Sequence, residues 1–166
     1  YHRGEKVVDL WGGVADPATG RLYDEDTCQL VFSTTKGVVA ICANQLIEQG
    51  RLDPDARVAE YWPEFAQAGK QDVLVRWLLC HKAGLPVLDV TLSIEDTLAW
   101  DPVVEALAAQ APIWEPGTRH GYHATTFGWL VGELIRRVDG RSVGAYVAEE
   151  LAGPLGIDLW IGVPDD

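Results

Sequence analysis

Two stretches of the chain carry apolar residues at every third or fourth position. Residues 38–47 and 127–138 both follow this spacing, which predicts two long helices, each with one buried face. A glycine follows each stretch, at Gly50 and Gly140, and glycine is common just past the end of a helix. The same spacing predicts shorter helices at 73–80, 102–110 and 143–151.

Short apolar runs near both ends of the chain are typical of strands. Residues 6–14 precede the turn cluster 16–20 and predict a hairpin arm, while 30–32 and 159–161 predict short strands. Strands at both ends with helices between them predict an α+β fold. No linker or repeat divides residues 1–166, so we expect one segment of a single domain. Ser93 and Asp101 are expected to be helix N-caps, and 112–121 is expected to be a loop.

Composition excludes several classes of function. The 166 residues are 48% hydrophobic and carry a net charge of −12, which disfavours binding to nucleic acid or to anionic lipid. No run approaches the roughly 18 apolar residues of a membrane span. Six of the seven tryptophans have apolar neighbours and are expected to pack in the core, namely Trp11, Trp62, Trp77, Trp100, Trp129 and Trp160.

The three cysteines are odd in number and widely spaced. Cys28, Cys42 and Cys80 are therefore expected to be buried free thiols, which favours a reducing, cytoplasmic location. The chain has no methionine and opens on Tyr1, so we expect a polypeptide that is incomplete at both ends. A targeting segment could lie upstream of such a sequence.

The most informative chemistry is Ser33 followed three residues later by Lys36, where the first long helix begins. Residues three apart on a helix share a face, so the amine can reach the hydroxyl. A serine hydroxyl becomes a nucleophile when a neighbouring base takes its proton, and burial disfavours the charged form of lysine. The alternative is a Ser33 N-cap beside a solvated lysine.

Three segments in this order resemble the serine β-lactamase and penicillin-binding protein superfamily, and most of all the class C β-lactamases and β-lactamase-like esterases. They are Ser33-Thr34-Thr35-Lys36, the run from Leu78 to Pro86, and Trp114-Glu115-Pro116-Gly117 followed by Gly121-Tyr122-His123-Ala124. The resemblance implies a partial β-lactamase/transpeptidase-like fold, with antiparallel strands, the nucleophile helix and a mostly helical region.

The resemblance also implies roles for particular residues. Ser33 would be the catalytic nucleophile, Lys36 would help to take its proton, and Tyr122 would shuttle protons to the leaving group. Trp114 and His123 are predicted to contact substrate. Ala124 stands where the β-lactamases have asparagine, which favours an esterase. The family's third motif, a Lys or His two residues before a glycine, has no counterpart before Asp166, so these residues alone are expected to lack the full site.

Other sites have weaker support. His120 and His123 lack a third ligand at zinc-site spacing, and His81 is expected to end its helix and to form hydrogen bonds within its own turn. Phosphate-binding glycine motifs and the Gly-x-Ser-x-Gly elbow do not occur. We therefore predict a serine hydrolase without a cofactor, acting on a small ester or amide. The alternatives are a β-lactamase or D-Ala-D-Ala peptidase, an acyltransferase, or a non-catalytic binding module. The oligomeric state is not predicted.

Overall fold

The computed structural model describes residues 1–162. Its chain divides into two compact units, and the boundary lies between Val31 and Phe32. The N-terminal unit contains an antiparallel pair of strands, β1 (Val14–Asp16) and β2 (Arg21–Leu22). The Asp16 carboxylate accepts hydrogen bonds from the backbone of Ala18 at 2.9 Å and from the Thr19 hydroxyl at 2.6 Å, which stabilises the turn. The predicted turn at 16–20 is confirmed, but the arm predicted at 6–14 is not, because only Val14 of these residues lies in a strand.

The second unit consists of helices joined by loops, the longest of which lie between α3 and α4 and between α5 and α6. They are α1 (Thr35–Glu48), α2 (Val58–Tyr61), α3 (Val75–Leu79), α4 (Ile94–Leu98), α5 (Asp101–Ala109), α6 (Thr126–Asp139), α7 (Val143–Val147) and α8 (Gly153–Leu155). Two 3₁₀ turns, Phe32–Thr34 and Pro63–Ala66, precede α1 and follow α2, and a π-helical turn, Ala148–Ala152, joins α7 to α8.

The core of this unit forms around the two long helices that the apolar spacing predicted. Helix α1 buries Val39, Cys42, Ala43 and Leu46, and α6 packs against it with Phe127, Leu130, Val131, Leu134 and Ile135. Each fully buried Leu, Ile or Val side chain contributes roughly 1.5–3 kcal/mol from the removal of apolar surface from water. Gly140 ends α6 with φ 92°, a left-handed conformation that glycine adopts without strain. The long helices are thus confirmed.

The start of α5 differs from the prediction because of a buried charge on α6. Trp100, and not Asp101, is the N-cap, with φ 69°. Its indole N–H donates to the buried Glu133 carboxylate at 2.9 Å, and Arg136 and Arg137 each donate to the same carboxylate at 2.7 Å. Burial raises the pKa of Glu133, but these hydrogen bonds outweigh it and hold the pKa below its usual value. Ser93 caps α4 as predicted.

Several other expectations were wrong. Residues 30–32 and 159–161 are not strands, and Phe32 belongs to a 3₁₀ turn. Cys42 is buried, but Cys28 and Cys80 are exposed, because Cys28 lies in an irregular segment and Cys80 follows the last residue of α3; all three thiols are free. Trp11 and Trp160 are 47% and 48% exposed, so they do not pack in the core as Trp62 does.

Candidate active site

Ser33 and Lys36 are in contact at the start of α1. Ser33 lies in the 3₁₀ turn that leads into the helix, and the Lys36 Nζ donates a hydrogen bond to its Oγ at 3.1 Å. The same ammonium donates to the backbone oxygen of Ala124 at 2.7 Å. The N-cap of α1 is Thr34, so the alternative with Ser33 as N-cap is wrong. The amine therefore points toward a distant loop as well as toward the hydroxyl.

Tyr122 lies beside this pair. The Lys36 Nζ is 5.0 Å from the centroid of the Tyr122 ring, a distance at which an ammonium and an aromatic face attract each other. Hydrogen bonding with the Ser33 side chain and then with the Lys36 side chain lowers the pKa of the Tyr122 phenol below its usual value. The structure thus brings Tyr122 next to Ser33 and Lys36, which lie far before it in the sequence.

The loop that carries Tyr122 is attached by its backbone to the segment after α3. Successive N–H groups of Ile113, Gly117 and Gly121 donate to the carbonyl oxygens of Gly84, Lys82 and His81, at 2.8, 2.9 and 3.1 Å. Each of these bonds joins residues far apart in the sequence. The run from Leu78 to Pro86 therefore acts as the support on which the tyrosine loop rests, and the two motifs form one structure.

His123 lies inside this support. Its side chain is buried, its Nε2 accepts a hydrogen bond from the backbone N–H of Leu85 at 3.0 Å, and its Nδ1 donates to the Gly121 oxygen at 2.6 Å. Burial is the main cause that lowers the pKa of His123, which favours the neutral ring that these two bonds require. Both ring nitrogens have protein partners, so this geometry fits a residue that fixes the loop better than it fits a contact with substrate.

Trp114 packs against the inner side of the same loop. A Cβ placed on Gly121 would lie only 2.5 Å from the indole ring, and the ring meets His123 edge-on with centroids 5.9 Å apart. The indole is partly buried, and its N–H is buried without a hydrogen-bond partner among the described residues. Trp114 therefore lies next to the candidate site, with one face against the loop that positions Tyr122.

Three features of the site were missed by the sequence reasoning. The Ala124 contribution is its backbone oxygen, which no side-chain motif reveals. The Thr126 hydroxyl donates to the Leu85 oxygen at 2.6 Å, and its position at the start of α6 gave no signal for this role. The His81 ring accepts the backbone N–H of His123 at 3.1 Å, whereas only bonds within its own turn were expected. Its place in the Leu78 to Pro86 run was the available signal.

Among residues 1–162, no group of three or more His, Cys, Asp or Glu side chains is placed so that it could hold a metal ion. Within the same residues, no helix is long and apolar enough to cross a membrane.

The comparisons with known proteins identify the family of the chain. A model of the Beta-lactamase family matches residues 1–166. The chain belongs to the beta-lactamase family. Its helix-rich structure with one small antiparallel sheet is a partial α+β fold of that family, as predicted.

Among similar proteins is the esterase/beta-lactamase LipL of Mycobacterium tuberculosis, 41% identical over 99% of this chain and 38% of its own length. A crystal structure of a family VIII carboxylesterase is 47% identical over 96% of this chain and 44% of its own, with a TM-score of 0.90. A penicillin-binding protein homologue from Caulobacter crescentus is 45% identical over 93% of this chain and 42% of its own, with a TM-score of 0.88. The chain thus spans less than half the length of these relatives.

Proposed function

We propose that this chain supplies the nucleophile region of a serine hydrolase that cleaves small esters through an acyl-Ser33 intermediate. The observation that carries the proposal is the contact between the Lys36 ammonium and the Ser33 hydroxyl at 3.1 Å, with the Tyr122 phenol beside both. A phenol beside a hydroxyl that an ammonium contacts is placed to exchange a proton with that hydroxyl.

Acylation begins when the Ser33 Oγ attacks the carbonyl carbon of the ester. The hydroxyl proton passes to the Tyr122 phenolate, which the neighbouring Lys36 ammonium stabilises, and the lowered pKa of Tyr122 increases the fraction of phenolate. The positive end of the α1 helix dipole lies next to Ser33 and stabilises the oxyanion that forms on the carbonyl. Collapse of this intermediate breaks the ester bond, and the alcohol leaves with a proton from Tyr122.

Deacylation repeats the same steps with water as the nucleophile. The Tyr122 phenolate takes a proton from water, the resulting hydroxide attacks the acyl carbon, and Ser33 Oγ regains a proton from Tyr122 as the acid departs. The Ala124 carbonyl keeps the Lys36 side chain directed at this point through its 2.7 Å hydrogen bond. General acid–base groups of this kind contribute about 10²- to 10⁴-fold to a rate.

Ester hydrolysis is preferred to β-lactam hydrolysis for two reasons. Ala124 offers only its backbone oxygen to Lys36 and has no side-chain amide to assist a substrate. Two of the similar proteins carry the word esterase or carboxylesterase in their names. A further relative, which is 30% identical, is the esterase EstB of Burkholderia gladioli. Contact of the acyl group with Trp114 and a cytoplasmic location belong to the same proposal.

Labelling of the full-length protein with a fluorophosphonate separates an enzyme from a binding module. We expect an adduct on Ser33, identified by peptide mass mapping, and loss of labelling in Lys36→Ala. Lys6→Ala is the matched control, because Lys6 pairs with Asp9 on the exposed surface, and it should label like the wild type. A folded full-length protein that takes up no label would favour the non-catalytic module.

Substrate preference is tested on the same protein. We expect hydrolysis of short-chain nitrophenyl esters without turnover of nitrocefin. Nitrocefin hydrolysis at a rate similar to that of the esters would favour a β-lactamase instead. Faster release of nitrophenol when a short alcohol is added, together with formation of the new ester, would identify an acyltransferase that uses the same acyl-Ser33 intermediate.

A further inference from the structure

His81 adopts a backbone conformation that is uncommon outside glycine. It follows the C-cap of α3 with φ 61°, in the left-handed region that is uncommon for residues other than glycine, although asparagine, aspartate and histidine adopt it more often than the rest. Its N–H donates to the Leu78 oxygen at 3.3 Å. Backbone strain of this kind costs roughly 1–3 kcal/mol and persists where the surroundings enforce it.

In this position His81 forms hydrogen bonds with both residues that flank Tyr122. The backbone N–H of Gly121 donates to the His81 carbonyl at 3.1 Å, and the backbone N–H of His123 donates to its Nδ1 at 3.1 Å. The ring centroids of His81 and Tyr122 are 5.0 Å apart. One residue therefore holds the residues before and after Tyr122 and also packs against the Tyr122 ring.

This arrangement requires one protonation state of His81. An imidazole nitrogen that accepts a hydrogen bond carries no proton, so the neutral ring must have its proton on Nε2. A second proton would enter at Nδ1 and would turn the acceptor into a donor that faces the His123 N–H. Protonation therefore breaks one of the two bonds that flank Tyr122.

The surroundings of His81 favour the neutral ring. Burial is the main cause that lowers its pKa, and the charges of His123, His120 and Lys36 lower it further. The His81 ring also packs against Phe127 on α6, whose ring centroid is 5.0 Å away and which carries no charge. The ring is consequently neutral at pH 7, and it becomes protonated only below the usual histidine value of about 6.5.

We propose that His81 is the positioning residue for Tyr122, and that protonation of its Nδ1 releases the tyrosine loop and produces an additional step in the acid limb of the activity profile. The effect on the activity profile rests on the proposed serine hydrolase function, whereas the positioning role does not. His81 itself touches neither substrate nor the Ser33 hydroxyl in this account, and it acts through the position of Tyr122.

Two variants of the full-length protein separate the role of His81 as a hydrogen-bond acceptor from the effect of its protonation. Asparagine places a carbonyl oxygen where His81 has Nδ1, tolerates a left-handed backbone and does not titrate. We expect His81→Asn to keep kcat/KM for a nitrophenyl ester within about fivefold of wild type at pH 8. It should lose the additional step that wild type shows below pH 6.5 and keep only the fall that protonation of the Tyr122 phenolate causes. His81→Leu removes the acceptor and should lower kcat at least tenfold at every pH.

His120→Asn is the control for loss of a neighbouring imidazole. The His120 ring meets His81 edge-on at 5.9 Å, and this variant should keep the step of wild type, with its midpoint moved to slightly higher pH because a charge that lowers the pKa of His81 is removed. An acid limb in His81→Asn that coincides with that of wild type would overturn the proposal. A His81→Leu protein with wild-type kcat at pH 8 would overturn it as well.

Nuclear magnetic resonance provides a measurement that does not depend on turnover. Two-bond proton–nitrogen correlation spectra of the full-length protein should show the proton of neutral His81 on Nε2 and that of His123 on Nδ1. The ring signals of Tyr122 should shift with the same midpoint as His81 in wild type, and this step should be missing in His81→Asn. A protein that gives these spectra but hydrolyses no ester would contradict the proposed function alone. A His81 proton on Nδ1 would overturn the positioning role alone.

Discussion

Substitution Thr126→Val tests the joint between the start of α6 and the segment that supports the tyrosine loop. The Thr126 hydroxyl is buried and donates to the Leu85 oxygen at 2.6 Å, and Leu85 is itself fully buried. Valine has nearly the same shape as threonine but cannot donate. The substitution therefore removes one hydrogen bond and leaves a buried carbonyl without a partner, while the packing of the side chain is preserved.

The size of the effect follows from the burial of that carbonyl. An unsatisfied buried acceptor costs about 1–3 kcal/mol, and the added methyl group recovers at most about 0.8 kcal/mol through burial. We expect a net loss of roughly 1–2 kcal/mol in the free energy of unfolding. Thr118→Val is a matched control: its hydroxyl donates to the Glu115 oxygen at the same 2.6 Å, but both residues are exposed. Water replaces that bond, so its loss should stay within about 0.5 kcal/mol.

The assay is urea unfolding of the full-length protein at 25 °C, followed by tryptophan fluorescence and circular dichroism. A lower midpoint with an unchanged slope reports a change in stability alone. Equal losses for the two valine variants would refute the reasoning, because they would show that burial of the Leu85 carbonyl has no energetic consequence.

Two further predictions concern the loop and the buried charge. Gly121→Ala should lower kcat/KM about 10- to 100-fold, because the new Cβ would lie 2.5 Å from the Trp114 ring, whereas Gly128→Ala on α6 meets no atom within 4 Å and should leave activity unchanged. Glu133→Gln should cost about 3 kcal/mol of stability at pH 7. The folded-state pKa of Glu133 is lowered, so the ionised carboxylate contributes to the free energy of unfolding above its unfolded pKa. This contribution is lost as pH falls through the folded-state pKa, and the urea midpoints of wild type and variant should therefore converge in acid. Midpoints that stay equally far apart from pH 7 to pH 3 would contradict that assignment.

The sequence predicted those parts of the fold that depend on local pattern. The spacing of apolar residues located α1 and α6, Gly140 marked the end of α6, and the Asp16 to Gly20 turn located the hairpin. The strand predictions at 30–32 and 159–161 failed because a run of three apolar residues also suits a turn or a loop. The N-cap of α5 failed because the Trp100 indole bonds to a carboxylate 33 residues away, which local rules do not include.

The candidate site divides in the same way. The spacing of Ser33 and Lys36 predicted their contact, and the family resemblance predicted Tyr122 as the third residue of the catalytic group. The supporting contacts were beyond the sequence, because each joins residues about 40 or more positions apart: His81 with His123, Leu85 with Thr126, and Lys36 with the Ala124 backbone. Two of these three bonds involve a backbone oxygen, and the third a backbone N–H, so side-chain motifs reveal only one partner of each.

The central claim is that the Ser33 hydroxyl becomes the acyl carrier during turnover. Acid quench of the full-length protein within milliseconds of mixing with a nitrophenyl ester, followed by peptide mass spectrometry, measures this directly. The account predicts an acyl group on the peptide that contains Ser33, formed at the rate of the nitrophenol burst and missing from Ser33→Ala. Steady hydrolysis by Ser33→Ala at the wild-type rate, or an acyl group on another residue, would contradict it.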